Sequence, residues 1–152
     1  MIADRSRQAP RTLRRDARHA LESCPGLNLR RAARRAAQHL EAAIAPAGLS
    51  FSQFGLMAEI AVADDDTVSA LAARMGLDQS TLSRTLRTLE GEGLVEIATV
   101  EKDQRKRMVW LTETGARRLD AALAAWRKAQ AGLSRHVSPQ AVRHLAEALE
   151  AL

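Results

Sequence analysis

The chain has 152 residues, of which 46% are hydrophobic and 27% charged, so it is long enough for one domain with a real core and short for two. The formal net charge is +5, and most of it lies in residues 1–20, which hold six arginines and two aspartates. No secretory h-region and no apolar run of the ~18–20 residues needed for a membrane span is present, and the single cysteine, Cys24, cannot form an internal disulfide. We therefore expect a cytoplasmic protein with no membrane role.

The N-terminal part of the chain is predicted to contain a basic extension followed by one long helix. Residues 1–26 form the extension, which has helical potential towards its end, and Pro25 and Gly26 interrupt the chain. The helical spacing of leucine and alanine then predicts a helix from Asn28 to Ala45, which Pro46 ends.

The next helix is predicted to begin at Ser50. Ser50-x-x-Gln53 fits a capping box, in which two side chains satisfy two unpaired amides. The run of three aspartates at 64–66 lacks the spaced ligands of a calcium loop and is interpreted as a solvated turn.

Two short helices joined by a glycine turn are predicted in the centre of the chain. Thr67 caps the first, Gly76 supplies its left-handed stop, and Asp78 caps the second. This layout is a helix-turn-helix, whose second helix lies in the DNA major groove in DNA-binding proteins. Because leucines at 82, 86 and 89 form the buried face, the outward residues that we expect to contact DNA are Gln79, Ser80, Thr81, Ser83, Arg84 and Arg87.

A β-hairpin with a basic tip is predicted to follow. Val95–Val100 and Arg107–Leu111 have strand composition, and the polar residues between them favour a turn. Basic side chains on a narrow hairpin suit the negative potential of the minor groove. The residues at or beside this tip are Lys102, Asp103, Arg105, Lys106 and Arg107.

Two further helices are predicted at the C-terminus, one beginning at Thr112 or Thr114 and one at Ser138-Pro139. The terminal helices carry more large apolar residues than a domain of this size has room to bury, which predicts a dimer, with an ordinary intramolecular core as the alternative. These residues are Leu29, Leu40, Leu123, Trp126, Leu133, Leu145 and Leu149.

Over residues 27–152 the chain resembles the MarR family of bacterial regulators. The motifs that carry the resemblance are Leu77-Asp78-Gln79-Ser80-Thr81-Leu82-Ser83-Arg84, Leu86-x-x-Leu89-Glu90-x-x-Gly93-Leu94-Val95, Asp103-x-Arg105 and Leu111-Thr112-x-x-Gly115. The sequence departs from the family pattern at Gln104, where the family often has a second arginine, and in its basic extension.

The resemblance implies a mainly α fold with a small β-hairpin wing. A winged helix-turn-helix at residues 49–112 would be embedded between dimerisation helices at 27–48 and 113–152. Arg105 would be the wing arginine that enters the minor groove, and Asp103 would position the wing. The partner implied is double-stranded DNA carrying a pseudo-palindromic operator, bound by a homodimer.

The resemblance implies two kinds of signal input. Some relatives sense hydroperoxides through a cysteine, so Cys24 is a candidate redox residue, although this chain has none of the tyrosines that hydrogen-bond the reactive thiol there. Other relatives bind a small molecule, often an aromatic carboxylate, and the candidate residues for such a site are His39, Phe51, Phe54 and Met57.

The sequence therefore predicts a sequence-specific dimeric transcriptional regulator, expected to be a repressor relieved by a small ligand. The alternatives are a redox-responsive regulator, a non-specific architectural DNA-binding protein and a winged-helix module that binds protein. No metal site is predicted, because His136, His144 and Glu147 do not make a closed ligand set. No cofactor and no catalytic motif is predicted either.

Overall fold

The computed structural model describes residues 11–64, 67–100 and 103–151, with the backbone alone described at 100 and 103–106. Among these residues, no helix has both the length and the apolar character needed to cross a bilayer. The elements in chain order are α1 (Arg11–Ser23), α2 (Pro25–Ile44), a 3₁₀ turn (Ala45–Ala47), α3 (Phe51–Ala61), α4 (Val68–Met75), α5 (Gln79–Gly91), β1 (Val95–Val100), β2 (Asp103–Leu111), α6 (Glu113–Leu133) and α7 (Pro139–Leu149).

The chain divides into two compact units, Met1–Gln38 and His39–Leu152. In the first unit, none of the described residues is buried. The predicted break in the chain falls at Cys24, but the predicted helix start at Asn28 is wrong by three residues. Pro25 and Gly26 belong to α2, because a proline in the first helical turn loses no hydrogen bond.

The second unit has a single hydrophobic core. Leu82, Leu86 and Leu89 are at most 1% exposed, which confirms the predicted buried face of α5. Trp126 of α6 stacks on Phe54 of α3 with ring centroids 6.3 Å apart. The other buried members of the core are Ile44, Leu49, Leu56, Met57, Ile60, Val68, Leu71, Ala72, Leu94, Val95, Val109, Leu119 and Ala122.

Side-chain caps begin the helices of the second unit where the sequence predicted them. The Gln53 amide donates to Ser50 Oγ at 3.1 Å, and the Ser50 amide donates to Gln53 Oε1 at 2.8 Å, so the capping box is complete. Thr67 caps α4 and Ser138 caps α7. Thr112, and not Thr114, is the cap of α6.

The turn between α4 and α5 depends on one glycine. Gly76 has φ of 60°, the left-handed conformation that a side chain disfavours, and its amide donates back to the carbonyls of Ala72 and Ala73. Asp78 follows in extended conformation and caps α5. The turn is therefore short, and it holds the two helices as a helix-turn-helix.

The two strands pair antiparallel in a two-stranded sheet. The register is regular from Val95↔Leu111 to Thr99↔Arg107 and then shifts, so that Val100 pairs with Asp103. The predicted start of the second strand at Arg107 is therefore wrong, because β2 continues back to Asp103 by bulging its extra residues out of the ladder.

Helix α6 begins against the end of the helix-turn-helix. The Thr112 amide donates to the Leu94 carbonyl at 3.1 Å, and Thr112 Oγ1 donates to the Gly93 carbonyl at 2.7 Å. A Cβ placed on Gly115 would overlap the carbonyl oxygen of Leu94, so only glycine fits there. This approach explains the Leu-Thr-x-x-Gly motif.

The apolar residues predicted to form a dimer interface differ in their burial and fall into three groups. Leu40 is buried, and Leu123 and Trp126 pack against the intramolecular core, so the alternative interpretation is correct for these three. Leu133 is half-buried. The exposed remainder is Leu29, Leu145 and Leu149.

Candidate nucleic-acid interface

The outward face of α5 has the composition of a DNA-contacting surface. Its side chains are exposed except for Ser83, which is half-buried. Arg84 and Arg87 take part in no salt bridge among the described residues, so their charges are available to a polyanion. The exposed members predicted from the sequence are Gln79, Ser80, Thr81, Arg84 and Arg87.

The first turn of α5 is organised around the carboxylate of Asp78. Ser80 Oγ donates to Asp78 Oδ1 at 2.5 Å, and Thr81 Oγ1 donates to Oδ2 at 2.7 Å. The Thr81 amide also donates to Oδ1, at 2.8 Å. One carboxylate therefore caps the helix and fixes the hydroxyls of Ser80 and Thr81.

These hydrogen bonds stabilise the ionised form of Asp78. The Ser80 hydroxyl has the largest effect, followed by the Thr81 hydroxyl and the Thr81 amide, and together they hold the pKa of Asp78 well below its ordinary value of 3.8. The residue is therefore an anion at neutral pH, placed at the helix N-terminus where the helix dipole favours negative charge.

Among the described residues, a side-chain hydrogen bond connects α5 to the hairpin. Arg107 Nη2 donates to Ser83 Oγ at 3.4 Å. Arg107 is exposed and pairs with Thr99, the last regular pair of the ladder before the register shifts towards the tip of the hairpin.

Beside that contact, α5 and the strands enclose an open cleft of about 420 Å³. Two arginines and one glutamate contribute charge to it, so its walls carry a net positive charge. The cleft joins the outward face of α5 to the hairpin. Its lining residues are Ser83, Leu86, Arg87, Glu90, Ile97, Ala98, Thr99 and Arg107.

The predicted tip residues are only partly described. Asp103, Arg105 and Lys106 belong to β2 by their backbone, and Lys102 lies outside the described residues. Towards the base of the hairpin, Trp110 Nε1 donates to Glu96 Oε2 at 3.0 Å across a paired position.

The hairpin is also attached to the first helix of the helix-turn-helix, at the start of α4. Thr67, the cap of α4, forms an antiparallel bridge with Met108 of β2. Thr67 is a buried polar residue beside the core. Both helices of the helix-turn-helix are therefore connected to β2, α4 through Thr67 and α5 through Ser83.

The structure separates the residues predicted for a small ligand. Phe54 and Met57 are 7% and 0% exposed members of the core, and Phe51 stacks on Phe54 at 6.3 Å. His39 is exposed and lines a shallow cavity of about 330 Å³ without them. The other lining residues of that cavity are Gly132, Leu133, Arg135 and His136.

Cys24 and the possible metal ligands lie apart in the sequence from the face of α5 that is predicted to contact DNA. Cys24 is a half-buried free thiol between α1 and α2. Within the described ranges, no three histidine, cysteine or acidic side chains lie close enough together to hold a metal ion.

Comparison with known proteins places this geometry in a family. The model of the MarR family matches residues 47–106, which span the helix-turn-helix and most of the hairpin. A solved structure of the transcriptional regulator MosR from M. tuberculosis, in complex with DNA, is 34% identical and has a TM-score of 0.77. That likeness covers 85% of this chain and 96% of MosR. This chain belongs to the MarR family.

Two further relatives agree with a MarR winged helix. A MarR-family transcriptional regulator from Rhodococcus sp. RHA1 is 25% identical over 86% of this chain and 93% of its own, with a TM-score of 0.70. The HTH-type transcriptional regulator PetP of Rhodobacter capsulatus is 37% identical over 86 residues, which are 57% of this chain. The match spans 52% of PetP, so this chain aligns with about half of that curated relative.

Three features of the interface were missed by sequence reasoning. The Asp78 network was predicted only as a helix cap, although a serine and a threonine two and three residues after an aspartate are a signal for it. The contact between Ser83 and Arg107 and the bridge from Thr67 to Met108 join residues 24 and 41 positions apart, and no local pattern predicts them.

Proposed function

We propose that this protein is a homodimeric transcriptional repressor that binds a pseudo-palindromic operator. The observation that carries the proposal is the pair of exposed arginines on α5, Arg84 and Arg87, which form no salt bridge among the described residues. Arg87 also lines a cleft of net positive charge together with Arg107 of the hairpin. Such side chains can form bidentate contacts with guanine or bind phosphate. The protein acts where the DNA is, in the cytoplasm.

Dimer formation is supported by apolar side chains that the described chain leaves uncovered. Val142, Leu145 and Leu149 of α7 are 49%, 40% and 45% exposed and recur at helical spacing on one face. Such a stripe is typical of a helix that packs against another surface, and a second copy of the chain is the partner that a two-half-site operator requires.

In this proposal a small acidic ligand relieves repression. The cavity beside His39 is supported as its site by Arg135, whose guanidinium can bind a carboxylate, and by the apolar wall of Leu133. An aromatic carboxylate matches this combination. The other predicted ligand residues then affect ligand binding only indirectly, because they belong to or pack against the core between α3 and α6. These residues are Phe51, Phe54 and Met57.

The test is selection of a binding site from randomised duplexes, followed by titration against the selected and a scrambled duplex at several salt concentrations. We expect a specificity ratio of ~10³ or more at physiological salt, with log K falling linearly as log salt rises. A ratio near one at every salt concentration would sink the repressor proposal and leave the architectural alternative.

One observation supports the second candidate function, a non-specific architectural DNA-binding protein. Arg11, Arg14, Arg15 and Arg18 recur at helical spacing on α1, so the extension presents one basic face. Contacts between this basic face and DNA phosphates do not depend on the base sequence, so they add to affinity without adding to specificity. Removal of residues 1–20 separates the two, because a repressor keeps its specificity ratio while an architectural protein loses most of its affinity.

A further inference from the structure

The hydroxyl groups on the outward face of α5 are not equivalent in their hydrogen bonding. A serine or threonine hydroxyl carries one donor hydrogen and two acceptor lone pairs. Once the hydrogen is committed to an intramolecular acceptor, the group can still accept hydrogen bonds but has nothing left to donate. The intramolecular partner therefore decides what the hydroxyl recognises.

Ser80 and Thr81 have committed their hydrogens. Their hydroxyls donate to the two oxygens of Asp78 at 2.5 and 2.7 Å, and the carboxylate stays ionised at neutral pH. Both side chains are exposed. Their remaining lone pairs are therefore available to an external donor.

Ser83 is different, although it lies on the same helix. Arg107 donates into Ser83 Oγ, so this hydroxyl is the acceptor of its contact with the hairpin. None of the hydrogen bonds among described residues uses the Ser83 hydroxyl as a donor. Its hydrogen is therefore available to an external acceptor such as a phosphate oxygen.

We propose that Asp78 makes Ser80 and Thr81 acceptor-only groups that select for the exocyclic amine of adenine or cytosine in the operator, while Ser83 binds the phosphate backbone. The inference rests on the proposed function, since it concerns the same DNA interface. Phosphate oxygens and guanine O6 and N7 only accept, so they cannot pair with Ser80 or Thr81. Adenine N6 and cytosine N4 are the major-groove donors that can.

The test replaces single bases in the selected operator by analogues without the exocyclic amine. Purine replaces adenine and 2-pyrimidinone replaces cytosine, one position at a time, and the same replacement outside the half-sites serves as the control for weaker pairing. We expect one or two positions per half-site at which loss of the amine weakens wild-type binding by about 5- to 150-fold, the range of one good base contact.

Variants of the protein then show which side chain pairs with each of those amines. In Ser80→Ala or Thr81→Val, the penalty for removing the corresponding amine should vanish, as expected for two partners in a double-mutant cycle. Ser83→Ala is the matched control, and it should weaken binding to both duplexes equally. Asp78→Asn keeps a good cap but offers one acceptor oxygen, so it should bind amine-containing and amine-free duplexes more evenly.

Two results would overturn the proposal. One is an unchanged amine penalty in Ser80→Ala and Thr81→Val, with circular dichroism showing that both variants are folded. The other is a wild-type protein that tolerates removal of every amine. In either case, tight binding to the selected operator would still support the proposed function. Failure to select any duplex would instead contradict the proposed function.

Discussion

Arg107 of β2 donates a 3.4 Å hydrogen bond to Ser83 of α5, so the hairpin and the second helix of the helix-turn-helix share a side-chain contact. Both residues line the same cleft. The contact is exposed, which limits its own contribution to folding stability. Its importance lies in geometry, since it joins the two elements that we propose to contact adjacent grooves of the DNA.

We expect Arg107→Gln to weaken operator binding while leaving the fold intact. Removal of one cation near phosphate should reduce the slope of log K against log salt by about 1. The free energy of unfolding should change by less than ~0.5 kcal/mol, as for an ordinary surface substitution. Filter-binding titrations at four salt concentrations measure the slope, and Arg117→Gln on α6 is the matched control, whose slope should equal that of the wild type.

Arg105→Ala is expected to weaken operator binding by ~1–3 kcal/mol, the value for a good base-edge contact. The prediction comes from the position of Arg105 in the hairpin and from its place in the family motif. Competition titrations against the selected operator measure it. Arg127→Ala, an exposed arginine of α6, controls for loss of charge, and equal effects of the two substitutions would contradict the assignment.

Gly115→Ala should destabilise the protein, because the new Cβ collides with the carbonyl of Leu94 and α6 must shift. Forcing atoms into a packed region costs ~1–3 kcal/mol. Gly132→Ala on the same helix meets no atom within 4 Å and should be neutral or stabilise by up to ~1 kcal/mol. Urea denaturation compares the two variants, and equal midpoints would show that the close approach has no energetic consequence.

The Asp78 network predicts a specific acid sensitivity. Its pKa is lower in the folded than in the unfolded chain, so the unfolded state binds more protons in the acid range and the contribution of Asp78 is present above its ordinary pKa of 3.8. This contribution is lost as the pH falls from that value through the lower folded pKa. Asp78→Asn should therefore be less stable than wild type at pH 7, and the difference should shrink as the pH falls below 3.8. Thermal unfolding followed by circular dichroism at pH 2.5, 4 and 7 measures this difference in stability. A difference that grows in acid would contradict the prediction.

Leu145→Glu is expected to shift the protein towards monomers by at least ~10-fold in the dimer dissociation constant, since an unpaired charge in an apolar interface is strongly unfavourable. Sedimentation equilibrium measures the change. Gln140→Glu adds the same charge to the same helix away from the apolar stripe and should leave the dimer intact. A variant Leu145→Glu that sediments like the wild type would place the interface elsewhere.

Most of the helix boundaries and caps were predictable, because they depend on residues close together in sequence. The helix starts at Ser50 with Gln53 and at Ser138 with Pro139 are each marked by residues that lie within four positions of one another. The exposed face of α5 was predictable for the same reason, since three leucines determine its opposite side.

The features that were not predicted depend on distant parts of the chain. Periodicity marks Leu40 and Leu145 alike as apolar, yet Leu40 packs inside the chain and Leu145 does not. Which one is buried depends on the tertiary neighbours of each helix. The extent of β2 depends on a bulge, which relaxes the alternation on which strand prediction relies.

The bridge between Thr67 and Met108 has a consequence for the way a signal could act on this protein. It ties the start of α4 to the hairpin, and the Ser83 contact ties α5 to the same strand. The hairpin thus cannot swing away from the helices without breaking a backbone pairing next to the core. We therefore expect DNA release to occur by rigid displacement of the helix-turn-helix together with its hairpin in each subunit of the proposed dimer. The operator would then be lost through mismatched spacing while every contact surface keeps its shape.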